Sequence, residues 1–93
     1  MNKRQLVGAA ARRSSLTRRQ IGEALEVLLE TIAEALEAGD YVALSDFGRF
    51  SVQEYAGRRL SRFGEQGHYA VRSRLIPVFK SSAVLRRRLR RED

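Results

Sequence analysis

The feature that most limits how this chain can fold is the run from Tyr55 to Phe79, YAGRRLSRFGEQGHYAVRSRLIPVF. It reads as two extended limbs joined at a tip, Phe63-Gly64-Glu65-Gln66-Gly67, where two closely spaced glycines supply the positive φ values of a reversal. The ascending limb carries Arg58, Arg59 and Arg62, and the descending limb carries Arg72 and Arg74. Burying so many unpaired charges would cost more than folding returns. The run is therefore expected to leave the body of the protein as a cationic hairpin arm over about 55–75, with Phe63 near its tip. An arm of this kind suits a large polyanion.

The distribution of charge supports that reading. The net charge is +7, yet residues 1–40 carry six basic and six acidic side chains and sum to zero. Residues 41–57 sum to −1, and residues 58–93, with eleven basic and three acidic groups, to +8. The excess thus lies in the arm and the C-terminal segment, the pattern of an electrostatic footprint for nucleic acid.

Ninety-three residues make a single domain, 1–93. Without the arm and the basic tail, a body of roughly 65 residues remains, a size at which one core is marginal. The sequence has no Cys, so neither disulfides nor thiolate metal sites can staple it. Two copies sharing one core are the expected remedy. The opening MNKRQLVGAAARR has too short an apolar run for a signal peptide and leads into Arg12-Arg13 rather than a cleavage site. No apolar run approaches a membrane span, so a soluble, intracellular protein is expected.

In chain order, Asn2 and Gln5 form a capping box that opens a first helix, with Met1 placed to staple onto Leu6; Ser14-Ser15 ends it. Thr17 and Gln20 repeat the box for a second helix, whose Ile21, Ala24, Leu25, Leu28, Leu29, Ile32 and Leu36 recur at helical spacing up to a terminator at Gly39. These two helices make a dimerisation part over 1–40. A helix-turn-helix reading fails, because Glu23, Glu26, Glu30, Glu34 and Glu37 would be repelled by a phosphate-lined groove. Strands follow at Tyr41–Leu44 and from Phe50 to Gln53, with Asp46-Phe47-Gly48-Arg49 as the turn between them, and at Leu75–Phe79, where Pro77 demands an edge or the point at which the strand leaves the sheet. They give a sheet over 41–80. Ser81 or Ser82 then caps a basic C-terminal helix over 81–93, in which Val84, Leu85 and Leu89 form a narrow apolar contact. Phe47, Phe50 and Phe79 are core anchors.

No catalytic constellation is visible. His68 stands alone, Asp40, Asp46 and Glu54 lack the spacing of paired acid–base groups, and no glycine-rich phosphate loop occurs. Asp46-Phe47-Gly48 matches a kinase magnesium motif by letter only, in a chain too short for a kinase. No cofactor, metal or small-molecule substrate is expected.

The helix-helix-strand-turn-strand-arm-strand-helix order, with Met1-Asn2-Lys3, Leu6, Gly39, Phe47-Gly48-x-Phe50 and Pro77-x-Phe79-Lys80, resembles the HU and integration host factor family of bacterial DNA-bending proteins. The resemblance spans almost the whole chain and is nearer to HU. It implies an α+β fold: two N-terminal helices, a three-stranded antiparallel sheet with a protruding β-hairpin arm and a short C-terminal helix, in an intertwined dimer. It implies a cytoplasmic, nucleoid-associated protein that binds double-stranded DNA through the minor groove, bends it and discriminates sequence weakly. The departure is at the tip. Where the family has Arg-Asn-Pro, this chain has Ser61-Arg62-Phe63, so Phe63 takes the position of the wedging proline, and Phe serves as a wedge in minor-groove binders. Arg58, Arg59, Arg62, Arg72 and Arg74 are then the arm's contacts to phosphates and groove, and Lys3, Lys80, Arg86 and Arg87 hold flanking DNA. Leu25, Leu28, Leu29, Ile32, Leu36, Phe47, Phe50 and Phe79 form the dimer core. Three alternatives stay open: structured RNA as ligand, a membrane or partner surface on the C-terminal helix, and a site-preferring subunit of a heterodimer.

Overall fold

The structure, a computed structural model, describes residues 1–55, 59–61, 68–70 and 74–91, the two short middle segments as backbone. Helix α1 spans Lys3–Arg12 and α2 spans Arg18–Glu37. Strands β1 (Val42–Leu44), β2 (Gly48–Tyr55), β3 (Arg59–Ser61), β4 (His68–Ala70) and β5 (Arg74–Ser81) follow, and α3 spans Ala83–Arg88. The chain divides into two compact units, Met1–Glu34 and Ala35–Asp93.

In the first unit both helices start where their caps dictate. The Asn2 side chain accepts from the Gln5 N–H at 2.8 Å while Asn2 donates its own N–H to Gln5 Oε1 at 2.9 Å. Thr17 and Gln20 repeat this exchange at 3.0 and 2.9 Å. Each box satisfies two of the donors that a helix N-terminus leaves orphaned. The expected staple does little: Met1 is 85 % exposed, so it covers almost nothing of Leu6. Val7 on α1 approaches Gly22 on α2, where an added Cβ would stand at 4.0 Å, an ordinary contact.

In the second unit, α2 ends in a Schellman arrangement. Gly39 has φ +79°, its N–H donates to Leu36 O at 3.0 Å, and Asp40 N–H donates to Ala35 O at 2.9 Å. The chain then enters a three-stranded antiparallel sheet in the order β1-β2-β5. Pro77 sits on the edge strand β5, opposite Val52, where a missing ladder donor is tolerated. β3 and β4 pair antiparallel as a separate two-stranded ladder, Arg59 opposite Ala70 and Ser61 opposite His68. The tip between them lies outside the described residues.

Two expectations need correction here. The β1–β2 reversal occupies Leu44–Phe47, two residues earlier than Asp46–Arg49. Phe47 N–H donates to Leu44 O at 3.0 Å, and Asp46 takes the positive φ of 65°, the sign a type II turn requires at its second central residue. Gly48 is therefore not a turn residue but the first of β2. A Cβ there would stand 2.5 Å from Phe79 Cζ and 2.7 Å from Lys80 O, so glycine is required by close approach. In α3, Ser82 is the N-cap, accepting from Leu85 N–H at 3.0 Å. Val84 and Leu85 are half-buried, but the helix ends at Arg88 and Leu89 is 69 % exposed, outside the apolar contact.

Candidate nucleic-acid interface

The sheet ladder sorts the second unit's side chains by face, because directly paired residues of an antiparallel pair point the same way. One face gathers Phe50 opposite Phe79 and Val52 opposite Pro77. Phe79 is the hub: its ring centroid lies 5.0 Å from Phe50 and 5.7 Å from Phe47, tilted geometries that aromatic pairs favour. The three phenylalanines singled out in the sequence are thus brought together. The cluster is nevertheless open in a single chain, with Phe47 46 % and Phe79 44 % exposed. On α2, Leu25, Ile32 and Leu36 are half-buried, while Leu28 and Leu29 are exposed. No large apolar side chain among the described residues is fully buried.

The opposite face carries cations held by aromatic rings and by the chain's own backbone. Tyr55 lies opposite Arg74 at the root of the arm, and the Arg74 guanidinium sits 5.3 Å from the Tyr55 ring. Arg49 lies opposite Lys80. Like charges so placed repel, and Arg49 turns instead onto Tyr41, at 3.8 Å from the ring centroid. Such a stack is worth about 0.5–1 kcal/mol at an exposed site. Lys80 stays exposed. Arg86 reaches back from α3 and donates to the Ser81 carbonyl and, at 3.4 Å, to the Ser81 hydroxyl. Ser82 N–H donates to Phe47 O at 2.8 Å, which ties the start of α3 to the β1–β2 turn. Arg49 and Lys80 therefore share one end of the ladder, where Arg86 is bonded to the adjacent Ser81, and Arg74 stands at the other end. Arg87 is exposed on α3. Arg59 is placed in β3 by its backbone, and Arg58, Arg62, Phe63 and Arg72 lie outside the described residues.

In the first unit, Lys3 is not a free cation. Its Nζ contacts Glu26 Oε2 at 2.9 Å and Oε1 at 3.0 Å, an exposed pair worth about 0–1 kcal/mol. Arg4, Arg12 and Arg18 line a groove of about 750 Å³ with Met1, Asn2, Gln5, Gly8 and Ala9. Sequence reasoning missed these arginines and Arg49. The signal was present within the neutral stretch 1–40: every basic residue there falls at or before Arg19 and every acidic one at or after Glu23.

The profile of the family described as "Bacterial DNA-binding protein" matches residues 1–90. The chain belongs to this family. The DNA-binding protein HU of Geobacillus stearothermophilus is 35 % identical over 88 residues, covering 92 % of this chain and 96 % of the relative. That of Staphylococcus aureus is 31 % identical over 86 residues with the same coverage. Among solved structures, an Anabaena HU–DNA cocrystal superposes with a TM-score of 0.77 at 32 % identity, over 96 % of this chain and 97 % of the other. HU from Thermotoga maritima gives 0.71 at 26 %, over 97 % and 100 %. The HU-type order of two helices, three-stranded sheet and short C-terminal helix is the one described above.

Proposed function

We propose that two copies of this chain pair through α2 and the phenylalanine cluster to form an architectural DNA-binding protein, which grips duplex DNA with two β-arms along the minor groove and bends it. The observation that carries the reading is the antiparallel pairing of β3 with β4 beyond the β2–β5 ladder. It gives the hairpin that the arginine-rich stretch requires, rooted at Tyr55 and Arg74. Pairing builds its core from apolar side chains that one chain leaves exposed, Leu28 in the first unit and Phe47 and Phe79 in the second. In the paired protein, Leu25, Leu29, Ile32, Leu36 and Phe50 complete that core.

Arg58, Arg59, Arg62, Arg72 and Arg74 contact phosphates and groove from the arms. Lys80, Arg86 and Arg87 hold flanking DNA, joined by Arg49, and Lys3 does so by exchanging Glu26 for a phosphate. Smooth bending of one site costs about 1–6 kcal/mol, offset by these contacts, and counterion release makes affinity fall steeply with salt. Phe63 wedges between base pairs and fixes the kink. The minor groove offers a degenerate pattern, so flexible, nicked or already bent DNA is preferred over any sequence. The protein works in the cytoplasm on the nucleoid and catalyses no reaction.

Electrophoretic mobility of linear, nicked and four-way-junction DNA at two salt concentrations tests the reading. Tighter binding to the distorted forms is expected, whereas equal binding to duplex RNA in competition would refute it. Phe63→Ala should lower the bend measured by fluorescence transfer between DNA ends, with a smaller change in affinity for plain duplex. A bend equal to the parent's removes Phe63 from the wedge role.

A further inference from the structure

Among the described residues, two take a positive φ, Gly39 at +79° and Asp46 at 65°. At Gly39 the end of α2 has the residue type that adopts such a backbone without strain. At Asp46 the chain carries a side chain instead, although residues with a Cβ enter this region uncommonly. That side chain does nothing for the fold. Asp40 accepts from Tyr41 N–H at 2.7 Å, but the Asp46 carboxylate accepts no hydrogen bond and joins no ion pair among the described residues, the turn being closed by backbone groups. Strain kept without a structural return points to a role outside the fold.

The turn that carries this carboxylate is fixed at both ends. Phe47 N–H donates to Leu44 O at 3.0 Å, and Phe47 O accepts from Ser82 N–H at 2.8 Å. Asp46 is therefore one Cα step, about 3.8 Å, from a residue bonded to the start of α3. The cations assigned above to flanking DNA stand at the same end of the ladder, Arg49 opposite Lys80 and Arg86 bonded to Ser81. None of the three forms an ion pair with Asp46, and Arg49, three residues along, lies on the Tyr41 ring. An exposed carboxylate thus stands uncompensated beside the groups that receive phosphate. Screening acts over a Debye length of about 10 Å at 0.1 M salt, so a phosphate drawn to these cations also meets the field of Asp46.

We propose that Asp46 is a specificity-determining residue, which repels the phosphates of flanking duplex and so limits how far DNA wraps around the paired protein. The proposal rests on the DNA-binding reading above and concerns the length of duplex held, not the grip of the arms. The more sharply DNA bends over the protein, the closer its flanks come to the two turns, one on each copy. The two carboxylates oppose the last part of that bend and leave the contacts of the arms unchanged. Short or shallowly bent sites are thereby favoured over long, wrapped ones.

The test compares the full chain with Asp46→Asn, which removes the charge and keeps a residue type tolerated at positive φ. Glu30→Gln makes the same charge change at an exposed position of α2 and serves as the control. Thermal unfolding and sedimentation check that each variant is folded and paired, and Asp46→Gly replaces Asp46→Asn if that variant unfolds. On a long duplex at low salt, Asp46→Asn should bind about three- to tenfold tighter than the parent, the scale of one exposed like-charge repulsion. The gain should shrink as added salt shortens the Debye length. Fluorescence transfer between DNA ends should report a larger bend, and stoichiometric titration a longer site. On a duplex only long enough for the arms, parent and variant should bind alike. No gain on the long duplex, a gain matched by Glu30→Gln, or one equally large on the short duplex overturns the proposal. So does a loss of affinity, which would make Asp46 an organiser of the neighbouring cations. A parent protein that shows no salt-dependent hold on DNA instead refutes the DNA-binding reading itself.

Discussion

The two compact units of this chain reach their structure by opposite routes. In Met1–Glu34, each helix is started by side chains three residues apart in sequence: Asn2 with Gln5, and Thr17 with Gln20. In Ala35–Asp93, the decisive contacts join residues distant in sequence: Gly48 under Phe79, Phe50 opposite Phe79, and Ser82 on Phe47. A unit built from local rules is tolerant, since each cap contributes its own increment. A unit built around one ring is not.

Substitutions can sharpen or break that contrast. Phe79→Ala should have the largest effect, about 3–5 kcal/mol of stability, because it removes the hub of the aromatic cluster. Chemical denaturation at several protein concentrations should show the loss, and a loss that does not vary with concentration would take Phe79 out of the shared core. Gly48→Ala comes next, at about 1–3 kcal/mol, the range of overpacking, read as a fall in unfolding midpoint. If it is neutral, the ring and the Lys80 carbonyl yield more readily than the geometry indicates. Thr17→Ala should cost about 1 kcal/mol, with reduced helical signal in circular dichroism and little change in the sheet. Lys3→Ala should change stability least, by under about 1 kcal/mol, since its pair with Glu26 is exposed. Should Thr17→Ala prove costlier than Phe79→Ala, the contrast between the units is reversed.

What could be read from the sequence follows the same division. Both capping boxes, the Gly39 terminator and a serine cap at Ser81 or Ser82 follow from short-range patterns, and the structure contains them, the last at Ser82. The edge position of Pro77 was legible because proline lacks a ladder donor. The turn was misplaced by two residues for a physical reason: a glycine two positions after Asp46 looks like a turn residue, but its use is to admit a ring from a strand some thirty positions later, and no local pattern carries that. Leu89 looked like a third apolar anchor because helical spacing continues through it, whereas the helix stops at Arg88. The first unit's arginines were hidden by addition. A stretch that sums to zero conceals a basic half followed by an acidic half, and only the groove around Gly8 shows what the basic half surrounds.

The contact between Gly48 and Phe79 has a consequence at the far end of the same ladder. It pins the pairing of β2 with β5 at one end, and that pairing runs without a break to Tyr55 and Arg74. A slip of one residue would turn every side chain to the opposite side of the sheet. The close fit of the Phe79 ring over Gly48 therefore sets the phase in which the ladder reaches Arg74, and with it the side of the sheet that this cation occupies.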